Sequence, residues 1–527
     1  MKSISIDLTP EEYHVPELMR RAVARQLGVD EASLEPLRVV RRTLDCRRRN
    51  VVYHCLVESG SQLNTEICLG ELSLTSLTRL TSLTSKAGKT VVIVGAGPAG
   101  LFAALRCLEL GMKPIIVERG KPVEKRKYDI ARLTKEHYVN PDSNWCFGEG
   151  GAGTYSDGKL YTRSTKRGDV GAVLRTFVAH GADPDIMLDA HAHIGTDRLS
   201  GIIANMRRTI EEHGGEYHFG QRVTDLIVEG GRVTGVTTQD GDRLKGIAVL
   251  LATGHSARDI YELFAHRGWL LQAKPFAMGV RVEHPQKLID KIQYHSAHPS
   301  RYLPPAAYSL TTQVEGHGVF SFCMCPGGVI VPASTDDGQQ VVNGMSNAHR
   351  SSPYANSGIA VTVGLEDVPE YAQHGPLALL RFQQEVERQM FEAAGHTISA
   401  PAQRLTDFYN GKSSTTLNKT NYIGPTVGSP LHELLPPFIV QCLQKGFRVF
   451  DQKMRGFYTD QASLLAVESR TSSPVRIPRG DDYQHLQLQG LYPCGEGAGY
   501  AGGIVSSAID GINCIDSIYN HYHPSAL

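Results

Sequence analysis

Two cysteines separated by one residue, Cys323 and Cys325, are the side chains of this sequence best suited to redox or nucleophilic chemistry. The composition of 318–332 predicts a strand, and alternate residues of a strand point to the same face. Two thiols on one face could relay electrons, attack a substrate or bind a metal. The alternative is a pair of buried structural cysteines. No further cluster of Cys or His completes a zinc site, so no metal is predicted.

A second predicted strand, 276–284, carries Arg281, Glu283 and His284. Arg281 could clamp a substrate carboxylate, because its planar guanidinium donates paired hydrogen bonds. His284 could exchange a proton near neutral pH. The alternative is that these charged side chains form an internal salt bridge.

The segment ESRTSSPVRIP, residues 468–478, brings together two arginines and several hydroxyl groups. Arg470, Ser472 and Arg476 are therefore candidates for binding an anionic group or a substrate. The alternative is a loop anchored by pairing of Glu468 with an arginine.

The elements that must position these groups begin at Thr90. Residues 90–94 form an apolar, β-branched run that is typical of a buried parallel strand. A GxGxxG motif follows, with Gly95 in the tight turn, Gly97 where a pyrophosphate approaches the backbone, and Gly100 where the next helix packs on the sheet. Because the N-terminus of that helix presents free N–H groups, the segment predicts a dinucleotide site.

A second strand ends at Glu118, whose carboxylate can accept hydrogen bonds from an adenosine ribose and disfavours a 2′-phosphate. Two later segments favour FAD over NAD. Residues 222–252 predict a β-meander and a buried strand that ends in an Ala-Thr-Gly turn, and 490–503 predict a short strand and a glycine-rich turn before a helix at 504–518. NAD needs one contiguous unit, whereas the GxGxxG motif at Gly95 and the glycine-rich turn at 495–503 lie nearly 400 positions apart. The residues predicted to bind the cofactor are Gly95, Gly97, Ala99, Gly100, Glu118, Arg119, Gly150, Gly151, Gly153, Val223, Ala252, Thr253, Gly254, Gly495, Glu496, Ala501, Gly502, Gly503 and Ile504.

With these motifs the chain resembles the two-motif FAD oxidoreductase superfamily and, within it, the bacterial FAD-dependent, or NAD(FAD)-utilising, dehydrogenase family. The resemblance implies FAD as cofactor and a small-molecule substrate of unspecified identity. It also implies that Glu496 stands where an aspartate usually binds the ribityl chain. The segments that carry the resemblance, besides the cofactor motifs, are 146–160, 274–285, 322–328, 342–358 and 468–477.

The predicted fold class is α/β. It comprises a Rossmann-type FAD-binding domain split in the sequence, an inserted mixed α/β substrate (cap) domain, and a small N-terminal α+β domain. Within the cap, helices are predicted over 376–394 and 430–455, and a helix is predicted over 14–28 in the N-terminal domain. The predicted boundaries are 1–71 for the N-terminal domain, 72–88 for a low-complexity linker, 89–270 and 478–527 for the FAD-binding domain, and 271–477 for the cap.

The overall composition narrows the function classes. The 54 basic residues balance the 54 acidic ones, which excludes a globally basic nucleic-acid binder. Residues 38–49 nevertheless contain six arginines in a predicted hairpin, which could contact RNA or an acidic partner; the alternative is a solvated strand face. The start of the chain lacks the apolar core of a signal peptide, and no apolar run is long enough to span a membrane, so we expect a cytoplasmic protein.

The sequence therefore favours an FAD-dependent oxidoreductase that acts on a small molecule, with NAD(P)H as a candidate transient co-substrate. A second GxGxxG after a strand is missing, which disfavours a separate nicotinamide domain. Two other hypotheses stay open, a flavin-dependent modifier of RNA or another macromolecule and a non-catalytic flavoprotein. The oligomeric state is left open.

Overall fold

The computed structural model describes residues 2–60, 89–162 and 165–523. The predicted linker 72–88 and the last residues of the predicted N-terminal domain lie outside these ranges. The strands are β1 (Lys2–Leu8), β2 (Leu37–Asp45), β3 (Val52–Ser59), β4 (Thr90–Val94), β5 (Lys113–Glu118), β6 (Glu216–Phe219), β7 (Val223–Glu229), β8 (Arg232–Thr238), β9 (Arg243–Lys245), β10 (Ala248–Leu251), β11 (Gln272–Ala273), β12 (Phe276–Pro285), β13 (Thr311–Val314), β14 (His317–Cys325), β15 (Val329–Pro332), β16 (Val342–Met345), β17 (Tyr354–Val363), β18 (Ala400–Arg404), β19 (Thr426–Gly428), β20 (Ser463–Glu468), β21 (Val475–Arg476) and β22 (Leu491–Pro493). The α-helices are α1 (Pro10–His14), α2 (Pro16–Leu27), α3 (Pro98–Glu109), α4 (Val123–Glu136), α5 (Val170–Ala179), α6 (Thr196–Glu212), α7 (Arg258–Arg267), α8 (Gln286–Gln293), α9 (Ala378–Ala393), α10 (Leu405–Tyr409), α11 (Leu431–Leu434), α12 (Pro437–Lys453) and α13 (Ile504–Tyr522).

A parallel sheet with the order β22-β10-β4-β5-β6 forms the centre of the nucleotide-binding part. Its middle strand β4 is apolar and buried from Val91 to Val94, as expected for a strand covered on both faces. Strand β22 comes from the end of the chain and pairs with β10, so the C-terminal segment completes a sheet that the first half of the chain begins. The α/β fold class with a split Rossmann-type domain is therefore confirmed.

The region between these two halves contains a second sheet, with the order β13-β14-β17-β12-β20-β18-β19. Its pairs are antiparallel except β18 with β19. The chain enters this region at β11 and leaves it at β21, and these two short strands pair with each other. Because the two connections lie side by side, the insertion leaves the parallel sheet intact.

At the N-terminus, β1, β3 and β2 form an antiparallel sheet against which α1 and α2 pack. The helix predicted over 14–28 is interrupted at Val15, which has extended backbone angles. The cause is Pro16, because a proline disfavours the helical conformation of the residue before it.

Two other predicted elements are also divided, again at proline or glycine. The strand predicted over 318–332 is two strands, β14 and β15, separated by Pro326, Gly327 and Gly328. The helix predicted over 430–455 is two helices, α11 and α12, separated near Pro436. Proline lacks the N–H that would continue either element.

Candidate cofactor and active site

A cavity of about 1950 Å³ lies between the nucleotide-binding part, the inserted region and the N-terminal unit. Pockets for a single small ligand usually measure about 300–1,000 Å³, so this cavity has room for two. One part of its lining, the glycine wall, is mainly backbone: Gly95, Gly97, Gly148, Gly151, Gly153, Gly495, Gly502 and Gly503. Another part, the side-chain wall, consists of Tyr13, Arg42, Tyr53, Lys159, Cys323, Arg350 and Arg470.

The glycines of the GxGxxG motif serve different purposes. Gly95 has φ +105°, and a Cβ on either Gly95 or Gly100 would overlap a backbone carbonyl oxygen, that of Ala252 or that of Gly95 itself. These two glycines are needed by the fold. A Cβ on Gly97 would come no closer to the rest of the chain than 3.9 Å, from the Gly151 Cα. Since Gly97 lines the cavity, the space beside it fits the close approach of a cofactor backbone.

Two helix N-termini are directed at this cavity. Helix α3 begins beside Gly97 and α13 begins beside Gly503, and both glycines line the cavity. The two helices pack closely because Gly511 in α13 contacts the Ala99 carbonyl, where a Cβ would overlap. Helix N-termini favour negative charge, so the pair suits a pyrophosphate and an electron-rich flavin ring. Gly511 is not among the residues predicted from the sequence. An isolated glycine inside the helix predicted over 504–518 is the pattern that could have indicated it.

Glu118 connects the turns of the glycine wall. Its buried carboxylate accepts backbone hydrogen bonds from Ala96 (2.9 Å), Gly120 (2.9 Å) and Gly148 (3.0 Å). A carboxylate offers about four lone pairs, so capacity for a ribose hydroxyl is left. The predicted ribose contact stays a prediction.

Arg126 holds the 144–151 loop in place. Its fully buried guanidinium donates to the carbonyl oxygens of Asn144 (2.8 Å), Trp145 (2.9 Å), Glu149 (2.9 Å) and Gly151 (2.8 Å). Sequence analysis did not identify Arg126, because nothing in the amphipathic helix α4 distinguishes it from a surface arginine.

The structure brings most of the predicted cofactor residues to one cavity. Gly100 and Gly150 do not line it; Gly150 lies behind the wall, where a Cβ would overlap the Thr154 hydroxyl. Arg119 is paired with Asp142 (2.9 Å) and Asp259 (3.0 Å). The predicted residues that line the cavity besides the glycine wall are Ala99, Glu118, Arg119, Val223, Ala252, Thr253, Gly254, Glu496, Ala501 and Ile504.

Glu496 and His255 form a titratable pair on the cavity surface, with 3.6 Å between the His255 Nε2 and the carboxylate. Burial raises the pKa of Glu496 to about 7. Burial and the nearby Arg470 and Arg258 lower the pKa of His255 to about 4. At neutral pH, His255 is therefore neutral and Glu496 is close to its midpoint of protonation.

Of the two predicted catalytic cysteines, Cys323 lines the cavity, whereas Cys325 is buried and does not line it. The regular alternation assumed for this strand is wrong, because the pairing register shifts between Phe322 and Cys325 and Cys323 has φ +46°. The bulge places the Cys325 Sγ 3.3 Å from the Cys323 carbonyl oxygen. Lys159 donates to the carbonyl of Met324, the residue between the two cysteines.

Two predictions on β12 must be corrected, because this strand lies in the middle of the inserted sheet. Arg281 is fully buried, does not line the cavity, and donates to Glu468 (2.7 Å), Asn356 (2.8 Å) and Asn343 (3.1 Å). The alternative of an internal salt bridge is therefore the correct one. His284 is also fully buried, with Nε2 2.8 Å from the Phe457 carbonyl oxygen, and burial lowers its pKa to about 4. Neither side chain reaches a ligand in the cavity.

The predicted anion-binding segment is divided between wall and interior. Arg470 lines the cavity, yet its guanidinium is already bonded to Thr335 (2.7 Å), Gln339 (2.7 Å) and Glu387 (3.2 Å). Ser472 and Arg476 do not line the cavity, and the Arg476 guanidinium lies over the ring of Tyr500 at 5.4 Å. Substrate binding by Ser472 or Arg476 is therefore not favoured by their positions.

Part of the N-terminal arginine run has an intramolecular role. Arg42 forms ion pairs with Asp189 (2.7 Å) and Asp185 (3.1 Å), and its backbone N–H donates to the Leu188 carbonyl (2.9 Å). Arg38 pairs with Glu58 and Arg47 with Asp45. Arg42 thus attaches the N-terminal unit to the nucleotide-binding part and brings Tyr13 and Tyr53 to the cavity. An RNA or acidic partner for the exposed arginines stays a prediction.

Two further properties concern the part of the chain that the structure describes. Cys494, Asp510 and Cys514 lie close enough together to hold a metal ion, but Arg479 already supplies positive charge there, 2.6 Å from Asp510 and 3.6 Å from the Cys514 Sγ. Among the described helices, none has the length and apolar character needed to cross a bilayer.

Comparison with known proteins identifies three matching family models. The family described as "FAD-dependent protein, C-terminal domain-like" matches 275–471, an FAD binding domain matches 90–127, and a domain of unknown function (DUF8436) matches 1–59. An uncharacterized protein of Clostridium beijerinckii is 37% identical over 519 residues, which cover 96% of each chain.

Similarity to solved structures is more distant. CtdE in complex with FAD is 11% identical, with 82% of this chain and 84% of that chain covered and a TM-score of 0.32. A flavocytochrome c3 fumarate reductase in an open conformation is 12% identical, with 85% and 81% covered and a TM-score of 0.36. A geranylgeranyl bacteriochlorophyll reductase-like protein from Thermoplasma acidophilum is 11% identical, with 83% and 79% covered and a TM-score of 0.36.

The family assignment therefore rests on the matched segments and on the bacterial relative, which is similar along nearly the whole chain. The cavity described above fits FAD, since its glycine wall leaves room for a pyrophosphate beside Gly97 and between two helix N-termini. The chain belongs to the bacterial family of FAD-dependent proteins.

Proposed function

We propose that this FAD-dependent protein is an oxidoreductase that transfers a hydride between a small organic substrate and N5 of the flavin. The observation that carries the proposal is that the glycine wall and the side-chain wall line one and the same cavity of about 1950 Å³. The glycine wall would hold FAD, which would supply the two-electron chemistry when bound. The remaining volume takes the substrate against the side-chain wall.

The residues of the chain then divide into two groups. Ala99, Glu118, Ala252 and Glu496 join the glycine wall in holding the cofactor. Lys159, Cys323 and Arg350 contact the substrate from the opposite side, and Tyr13 and Tyr53 of the N-terminal unit exclude water from the outer part of the cavity. Asp157 fixes Arg350 through a bidentate ion pair (3.1 and 2.7 Å), so this cation is positioned before a ligand arrives.

The cofactor half of the proposal is tested by Gly97→Ala. Gly97 has φ −76°, which alanine adopts freely, and its added Cβ meets no atom closer than 3.9 Å. We expect a folded protein whose FAD affinity falls at least about tenfold, or about 1.4 kcal/mol, measured by flavin fluorescence on reconstitution. Gly201→Ala on α6 is the matched control, since it lies away from the cavity. Equal FAD affinity in both variants would contradict the placement of the pyrophosphate.

The hydride half is tested with the holoprotein under anaerobic conditions. NADH, NADPH and a panel of hydroxy acids and amines are mixed with the protein, and bleaching of the oxidised flavin is followed near 450 nm. The active donor is then resynthesised with deuterium at the transferred position, which should slow the bleaching. If dithionite bleaches the flavin and none of these organic donors does, the result contradicts hydride transfer from these classes of donor and favours a non-catalytic flavoprotein.

A further inference from the structure

We propose that Cys323 and Cys325 form a redox-active dithiol that exchanges two electrons with the flavin inside the cavity. The proposal deepens the proposed function, on which it rests for the presence of FAD at the glycine wall. It assigns a second redox centre to the inserted region.

The backbone is bent at the two cysteines. Two cysteines on a regular strand are held apart by the extended chain, but here the register shift after Phe322 and the φ of +46° at Cys323 bend the segment. The Cys325 Sγ consequently lies 3.3 Å from the Cys323 carbonyl oxygen. The bulge therefore turns the Cys325 thiol back toward Cys323, the residue to which a disulfide would join it.

The two thiols differ in their accessibility from the cavity. Cys323 is partly accessible from the cavity, whereas Cys325 is buried behind it. This arrangement lets one sulfur meet an external reactant while the other is kept for an internal reaction.

Charged and polar groups around Cys323 change the pKa of its thiol. The hydrogen bond from the Cys325 thiol, together with attraction by Lys159 and Arg281, lowers the pKa of Cys323 against the effect of burial. The carboxylates of Asp157 and Glu496 face the same group, but Asp157 is neutralised by Arg350. Cys107 and Cys442 show the opposite behaviour, because burial raises the pKa of both thiols. The thiolate is the reactive form in thiol–disulfide chemistry, so Cys323 is the nucleophile of the pair.

Cys323 also shares its cavity with the cofactor residues. Cys323 and Glu496 line the same cavity, and Glu496 belongs to the turn before helix α13, which contributes to the glycine wall. The Cys323 thiol and the glycine wall therefore open onto the same space.

The redox step balances without any further reactant. The Cys323 thiolate and the Cys325 thiol form one S–S bond, break one S–H bond and release two electrons and one proton. Oxidised flavin is the two-electron acceptor and takes up the same proton. In the reverse direction, the disulfide accepts two electrons and one proton, which restores the thiolate and the thiol.

The thiol half is tested by peptide mass spectrometry. Trypsin releases residues 302–350 as one peptide that contains both cysteines and no other. After treatment of the full chain with diamide, we expect this peptide to be lighter by two hydrogens and to take up no iodoacetamide, whereas the reduced protein takes up two groups. Cys323→Ser and Cys325→Ser should abolish the internal bond, and Cys146, on the same cavity surface, is the internal control for alkylation. A fully alkylated peptide after diamide would overturn the proposal.

The flavin half uses the disulfide form of the holoprotein, with its flavin photoreduced in the absence of oxygen. We expect absorbance near 450 nm to return in step with the appearance of two alkylatable thiols in the 302–350 peptide, and not in Cys325→Ser. A disulfide that forms but never exchanges electrons with the flavin would overturn the proposal and leave the hydride-transfer function intact. Failure of the chain to bind FAD would instead overturn both, and the thiol result on the apoprotein would still show whether the bond forms.

Discussion

The two walls of the cavity are built in different ways. The glycine wall consists of backbone atoms from short contiguous motifs. Its glycines are suited to bind a cofactor because they have no side chain. The side-chain wall depends on ion pairs between distant segments, such as Arg42 with Asp189, Arg350 with Asp157 and Arg470 with Glu387. Sequence motifs therefore predict the glycine wall. The side-chain wall forms only when the N-terminal unit, the nucleotide-binding part and the inserted region pack together.

The difference extends to how each wall tolerates change. At the glycine wall, an added atom causes harm because it meets backbone or cofactor. At the side-chain wall, a removed charge causes harm because its buried partner is left without compensation. Three substitutions, of residues that line these walls or support them from behind, rank these effects from the largest to the smallest.

Glu387→Gln should have the largest effect. Glu387 is fully buried and its carboxylate contacts both Arg258 (2.8 Å) and Arg470 (3.2 Å). Its replacement leaves two buried guanidinium groups without a counter-charge, which should lower the free energy of unfolding by about 3–5 kcal/mol. Urea denaturation at pH 7 measures the change. The control is Glu385→Gln on the same helix, whose partner Arg388 is exposed, with an expected change within about 0.5 kcal/mol.

The same pair of proteins gives a pH test. Burial opposes the charge of Glu387, but attraction by Arg258 and Arg470 outweighs it and lowers the pKa to about 2. A carboxyl whose pKa is depressed in the folded state stabilises the fold above its unfolded pKa and loses this contribution as the pH falls. The difference between wild type and Glu387→Gln should therefore shrink between about pH 4.5 and pH 2. A difference that stays constant over this window would argue against charge as its source.

Gly100→Ala should follow, because its Cβ would overlap the Gly95 carbonyl oxygen, which belongs to backbone and cannot swing aside. We expect a loss of about 3 kcal/mol, at the upper end for overpacked interiors, measured by thermal unfolding of the apoprotein. Gly201→Ala is the control; no atom lies within 4 Å of its added Cβ, and alanine should stabilise helix α6 by about 0.5–1 kcal/mol. If both variants unfolded like the wild type, the close approach at Gly100 would not be a requirement of the fold.

Arg42→Ala should have the smallest effect. Its partners Asp189 and Asp185 are 35% and 56% exposed, so the ion pairs contribute about 1 kcal/mol. We expect faster hydrogen exchange in β2 and at 188–190, by about fivefold, with an unchanged flavin spectrum. The exposed Arg48 provides the comparison, and Arg48→Ala should leave exchange at these sites unaltered. Equal exchange in the two variants would mean that Arg42 does not attach the N-terminal unit.

The predictability of the site follows the same division. Gly95, Gly97 and Gly100 could be read from the sequence because each acts within a strand-turn-helix unit whose geometry is local. Arg126 and Gly511 could not, because what they contact depends on how the 144–151 loop and helix α13 return to this unit. The residue types of Arg281 and His284 predict a substrate clamp and a proton-exchanging group. Both side chains are nevertheless buried, because β12 lies in the middle of a sheet.

The amino-acid sequence by itself determined the α/β class, because periodicity and local glycines indicate it, and it predicted the split fold and FAD from two glycine-rich motifs at opposite ends of the chain. Only the tertiary structure decided which polar side chains face the cavity. Whether a polar side chain is buried or ion-paired depends on residues far away in the chain. The type of the residue alone does not indicate which residues these are. The bulge at Cys323 shows this most clearly, since a shift of strand register sets which sulfur meets the cavity and which lies behind it.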